Sequence, residues 1–260
     1  MMPSVAQGAL GLASGSLVGY SLGLVGGGGS ILAVPLLVYL VGVSNPHVAI
    51  GTSAVAVAAN AAANLVNHTR AGNVKWRCAL VFAAAGVIGA YLGSTLSKMI
   101  DGQQLLALFA VLMMVVGTLM LKGRHGEGQP LVRLSRDNFP RLAGFGLMTG
   151  TLSGFFGIGG GFLIVPALIL ATEMPILNAV GSSLVAVTAF GVTTAASYAF
   201  SGLIDWTLAA LFVVGGALGG LLGASTAKSL SNKKGALNTI FATLIVAVAV
   251  YMLARSLNLR

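Results

Sequence analysis

The sequence predicts an all-α polytopic membrane protein made of two internal repeats, each a glycine-broken segment followed by three transmembrane helices. Three observations predict it. Hydrophobic residues make up 57% of the 260 positions and charged ones only 7%, where a soluble domain would carry about a quarter charged. Several apolar runs reach the length of about 20 residues that a helix needs to cross a hydrocarbon core. Finally, GYSLGLVGGGGSILAVP at 19–35 returns as GTLSGFFGIGGGFLIVP at 150–166. At an offset of 131, Gly19, Gly23, Gly26, Gly28, Gly29 and Pro35 match Gly150, Gly154, Gly157, Gly159, Gly160 and Pro166.

The first broken segment spans 4–43. Its glycines step by four (Gly11, Gly15, Gly19, Gly23), which puts them on one helix face and admits a close neighbour. Such faces suit packing within the chain or between two copies in a homodimer. The run at 26–29 is different. Glycine costs about 1 kcal/mol in a helix interior, so a cluster should unwind the helix there. Unwound backbone at membrane depth is tolerated where protein buries it or where it lines a cavity. Paired interruptions in two halves point to a transporter's binding site.

Helices are expected at 48–67, 78–97 and 104–121. A polar stretch, 122–141, carries Lys122, Arg124, Arg133, Arg136 and Arg141 and links the halves. This gives a first repeat at 1–121, a basic connecting loop at 122–141 and a second repeat at 142–260. The second repeat has its broken segment at 142–171 and helices at 176–199, 207–228 and 236–254. The match extends beyond the glycines at offsets of 130–132: Gly51, Gly72, Trp76, Gly89, Gly93 and Lys98 answer to Gly181, Gly202, Trp206, Gly219, Gly223 and Lys228.

The formal charge of +9 sits almost entirely in short loops. That is how a membrane protein sets its orientation, and it removes nucleic acid as the partner in favour of the lipid bilayer. The loop at 68–77 has three Lys/Arg and its counterpart at 199–206 has none. The loop at 98–104 has only Lys98, while 228–235 has three lysines. Opposite bias in equivalent loops favours inverted repeats, with both termini outside and the 122–141 loop cytoplasmic. It suits equally a broken segment that enters and leaves by one face and one whose two arms both cross fully.

The candidate site follows from the breaks. A new half-helix should start near Ser30 and near Phe162, with unpartnered N–H groups and the positive end of its dipole at mid-membrane. Two such ends make an anion site without a formal charge. In the helix at 48–67, Ser53, Asn60, Asn64 and Asn67 share one face. Their counterparts are Ser183, Phe190, Thr194 and Ser197, and Thr52 and Ser182 adjoin the leading serines. Substrate-binding candidates are therefore Gly26, Gly27, Gly28, Gly29, Ser30, Thr52, Ser53, Asn60 and Asn64, with Gly157, Gly159, Gly160, Gly161, Ser182, Ser183 and Thr194. All five carboxylates (Asp101, Glu173 and Asp205 among them) fall in or near loops, so no intramembrane proton relay is evident. Proton or sodium coupling stays open. One cysteine, Cys78, excludes an internal disulfide and a cysteine metal cluster; no metal or cofactor is expected.

GLVGGGGSILAVP and its echo GFFGIGGGFLIVP, the runs GTSAVAV and GSSLVAV, and the turns AGNVKW and SGLIDW resemble the TauE/SafE family over nearly the full chain. The resemblance implies a bacterial or archaeal inner-membrane transporter of a small sulfur-containing anion, sulfite or an organosulfonate. A related class of thiosulfate permeases handles substrate through cysteines; with Cys78 at a helix start beside Arg77, that route is not expected here. An anion channel, or a carrier of another small anion, would share the same lining. An intramembrane serine protease needs a histidine base at depth, and His47 and His68 sit near helix ends. The chain is expected not to be an enzyme.

Overall fold

The computed structural model describes residues 5–122, 134–136, 138–229, 243 and 245–255, and throughout them the regular structure is helical. The order is α1 (Val5–Val25), a 3-10 helix (Gly26–Leu32), α2 (Ala33–Pro35), a π-helical turn (Leu36–Leu40), α3 (Pro46–Arg70), α4 (Trp76–Ser97) and α5 (Gly102–Lys122), followed by α6 (Phe139–Phe156), α7 (Gly161–Thr172), α8 (Ile176–Phe200) and α9 (Trp206–Ser229). A further short apolar helix, α10, covers Ile245–Arg255. Five of these helices are long and apolar enough to cross a membrane: α3, α4, α5, α8 and α9. The chain is a polytopic helical membrane protein. Most of the 122–141 loop, most of the loop at 228–235 and the start of the helix expected at 236–254 lie outside the described residues.

Helix starts follow local chemistry. Asn45 accepts from His47 N at 2.9 Å and Pro46 opens α3, combining a side-chain cap with the residue best suited to a first turn. Asp101 Oδ1 accepts from Gln103 N and Gln104 N at the start of α5, and Asp205 Oδ1 from Leu208 N at the start of α9. Both carboxylates are thus N-caps.

Between helices in lipid, water supplies little driving force, so close packing of small residues takes over. The glycine-stepped face of α1 packs on α9: Gly15 lies on Phe212 and Gly19 on Gly216, with no room for a Cβ at either. The glycines of α6 meet α4 in the same manner, Gly146 on Phe82, Gly150 on Gly86 and Gly154 on Ala90. Gly146 and Gly150 are the repeat equivalents of Gly15 and Gly19, and Phe82 and Gly86 those of Phe212 and Gly216. Each half therefore docks its first arm on a helix of the other half.

The contacts also give directions. Residue numbers rise together along α1 and α9 and along α4 and α6, so each pair is parallel. Asn60 lies against Gly216 and Asn64 near Gly220, so α3 is parallel to α9 and hence to α1. Gly51, near the start of α3, meets Leu203 O and Tyr198 beyond and at the end of α8, while Gly181, near the start of α8, meets Asn73 past the end of α3. These two equivalent helices run antiparallel. Because α1 and α3 point the same way, the chain turns back within the broken segment between them. Apolar side chains such as Ile88, Leu92, Val111, Val115, Val192, Val214 and Leu218 are exposed on the outside of the bundle, where lipid would cover them.

Candidate functional site

The break in the second half is a left-handed turn. Gly157, Gly159 and Gly160 have φ of 67°, 63° and 68°, a region that costs an L-residue roughly 1–2 kcal/mol. Gly157 N donates back to Ser153 O at 2.9 Å and closes α6. Gly160 then precedes α7, whose first bonds run from Leu163 N and Ile164 N to Gly160 O at 2.8 and 3.0 Å. The N–H groups of Gly161 and Phe162 precede those bonds at the positive end of the α7 dipole.

The depth of this turn decides its meaning. Gly159 is wedged between Val57 and Val187, and a Cβ there would sit 2.6 Å from one valine methyl and 3.1 Å from the other. Val57 and Val187 lie at mid-length of α3 and α8, two membrane-length helices. The α7 N-terminus is therefore at mid-depth. Ser53 fastens α3 to the turn, its single hydroxyl proton shared between Ile50 O at 2.9 Å and Gly157 O at 3.3 Å.

The first half differs from its echo. Gly26, Gly27, Gly28 and Gly29 do not open into a loop; the backbone tightens into a 3-10 helix through Leu32, and α-geometry resumes at Ala33 rather than near Ser30. Gly29 presses on the backbone of Ser21 and Leu22 too closely for any Cβ, so the run serves a tight reversal. The 3-10 stretch packs against α7 and α8, which brings the two breaks together. Ser30 is fully buried within it.

The predicted polar residues divide into groups. Ser53 and 157–161 meet at the turn. Thr52 and Ser182, both fully buried, act at the rims: Thr52 Oγ1 accepts from Asp205 N at 3.0 Å and Ser182 Oγ from Lys75 N at 2.9 Å. These contacts are exchanged between the halves, since each serine or threonine holds the loop of the other. Ser183 donates to Val180 O at 2.8 Å within its own helix. Asn64 Nδ2 donates to Asn60 O at 3.0 Å, and Asn60 faces α9 at Gly216 rather than the turn. Asn60 Nδ2 and Thr194 Oγ1 are buried without a partner.

One residue was not predicted. Ser153, fully buried, has an Oγ without a hydrogen-bond partner and stands against Gly160. Its repeat equivalent is Leu22, so a search for matched polar positions passes it by. Lys98 Nζ reaches Ser197 O, Ser197 Oγ and Ser201 Oγ at 3.0–3.2 Å at the end of α8, away from the turn. Among the described residues no cluster of His, Cys, Asp or Glu would hold a metal.

Comparison with known proteins fits this architecture. Residues 11–252 match the family described as "Sulfite exporter TauE/SafE". The chain belongs to that family. A "Probable membrane transporter protein" of Xylella fastidiosa is 55% identical over 250 residues, 94% of each chain. The "Probable membrane transporter protein YunE" of Bacillus subtilis is 29% identical, covering 84% of this chain and 88% of its own. An archaeal "Probable membrane transporter protein", from Methanocaldococcus jannaschii, is 30% identical over 64% of both chains. No solved structure matches. This TauE/SafE protein is thus a multi-pass membrane transporter of a family with bacterial and archaeal members, and not an enzyme.

Proposed function

We propose that this protein carries a small sulfur-containing anion, sulfite or an organosulfonate, across the cytoplasmic membrane, binding it at the mid-membrane turn 157–161. The observation that carries the proposal is Gly159 between the midpoints of α3 and α8, because it sets a helix N-terminus at a depth where bulk water is absent. There the dipole and free N–H groups favour an anion, and glycine lets it approach the backbone. The described carboxylates, Asp101, Glu173 and Asp205, stand at helix ends rather than at the turn. Ser53 and the 3-10 stretch of the first half complete the wall, and the family description agrees with a sulfur oxyanion.

The two halves, 1–121 and 142–260, act as inverted repeats in this proposal. Supporting it are the antiparallel run of α3 and α8, the exchanged contacts of Thr52 and Ser182, and the opposite charge bias of equivalent loops. Alternating access then consists of opening one rim while the other stays tied.

The test is flux in proteoliposomes of sulfite, sulfate, thiosulfate, sulfoacetate and taurine, with and without proton or sodium gradients. Saturable sulfite or sulfonate flux, accelerated by substrate on the far side and reduced at least tenfold in Ser53→Ala with Ser183→Ala, is expected of a carrier. Flux that neither saturates nor responds to far-side substrate would mean a channel. No flux of any sulfur anion by folded protein would overturn the substrate assignment.

A further inference from the structure

We infer that Ser153 is a substrate-contacting residue, supplying the side-chain donor of a site built for the three-oxygen face of sulfite or of a sulfonate, R–SO₃⁻. The inference rests on the mid-membrane anion site proposed above and names what that site recognises. A serine or threonine in a membrane helix ordinarily satisfies its hydroxyl on the carbonyl one turn back. The neighbours of Ser153 do so: Thr149 Oγ1 donates to Phe145 O at 2.7 Å and Thr151 Oγ1 to Leu147 O at 2.9 Å. In the first half Ser21 Oγ donates to Leu17 O at 3.0 Å. Ser153 alone of these four makes no such bond, although it is fully buried.

Its position explains the exception. Ser153 sits one turn before Gly157, and a Cβ at Gly160 would lie 2.7 Å from its Cβ and 2.9 Å from its Oγ. The hydroxyl is thus directed at the residue that precedes α7, beside the N–H groups of Gly161 and Phe162. A hydroxyl carries one donor and rotates to suit its acceptor. Together with the two backbone N–H groups it makes three donors for three oxygens, around one end of a helix dipole. In the first half the serine that meets the matching glycine, Gly29, is Ser21, whose hydroxyl is already bonded to Leu17 O. Leu22 stands at the repeat position of Ser153 and meets Gly29 through its backbone N. The anionic end of the substrate is therefore held on the α7 side.

Half-saturation for sulfite in proteoliposomes tests this, in wild type, Ser153→Ala and a control, Thr149→Ala, which removes a buried hydroxyl already satisfied within the same helix. A hydrogen bond to a charged group corresponds to about tenfold or more in affinity, so Ser153→Ala should raise half-saturation at least about tenfold and Thr149→Ala should leave it near wild type. In a Cys78→Ala background, the thiol of Ser153→Cys should react with iodoacetamide in membranes, and methanesulfonate but not chloride should protect it. Sulfite transport with an unchanged half-saturation in Ser153→Ala, or a thiol that methanesulfonate leaves unprotected, overturns the role of Ser153 and leaves the transport proposal standing. Wild type that moves no sulfur anion, but whose Ser153→Cys thiol methanesulfonate protects, overturns the transport proposal and keeps the contact.

Discussion

Replacing Gly150 by alanine tests whether the α4–α6 seam is held by backbone approach. A Cβ on Gly150 would overlap the Gly86 carbonyl and lie 2.6 and 2.7 Å from its Cα and carbonyl carbon. Carbon atoms rest at about 3.5–4.0 Å, so the helices would have to part by about 1 Å. They cannot part locally, because Gly154 on Ala90 is equally close and Gly146 on Phe82 only somewhat less so. Overpacking of this kind costs about 1–3 kcal/mol. At about 2–4 °C per kcal/mol for a chain approaching this size, the midpoint of thermal unfolding in detergent should fall by roughly 2–12 °C. Gly144, on the same helix, is the internal control: nothing lies within 4 Å of a Cβ there. Alanine at 144 should gain up to about 1 kcal/mol of helix propensity and raise the midpoint slightly. The opposite signs are the prediction. Equal shifts in the two variants would refute the packing argument.

Three further outcomes are expected. Thr52→Val removes the acceptor of Asp205 N, and Ser182→Ala that of Lys75 N; each strands a loop N–H at a cost of about 1–3 kcal/mol, so the two unfolding midpoints should fall by similar amounts. Lys98→Met loses the bonds to Ser197 and Ser201 at a half-exposed position, worth about 1 kcal/mol after solvent screening, and limited proteolysis should speed up in the turn at 201–205. Gly159→Ala meets both the φ of 63° and the methyls of Val57 and Val187. Transport should fall at least tenfold while the protein still inserts, as read by flux normalised to reconstituted protein.

Glycine spacing made much of this legible in advance. The step of four along α1 marked a seam that the structure finds against α9, and the 131-residue echo marked both breaks. It misled on conformation, because glycine adopts a left-handed turn and a tight 3-10 helix with equal ease, and tertiary contact decides between them. Thr52 and Ser182 illustrate a second limit. A matched pair of buried hydroxyls reads the same whether it awaits a ligand or holds a loop, and only the partner's backbone distinguishes the two. Ser153 shows the converse: reliance on matched polarity passes over a buried hydroxyl whose repeat counterpart, Leu22, is apolar. The antiparallel run of α3 and α8 had only loop charge to announce it.

The most direct measurement is an experimental structure of the protein in lipid nanodiscs with sulfite and, separately, with methanesulfonate. One anion is expected at mid-depth, its oxygens within hydrogen-bond distance of Gly161 N, Phe162 N and Ser153 Oγ. An anion bound instead at the rims, beside Lys75 or Lys98, with the turn at 157–161 empty in a transport-competent sample, would contradict it.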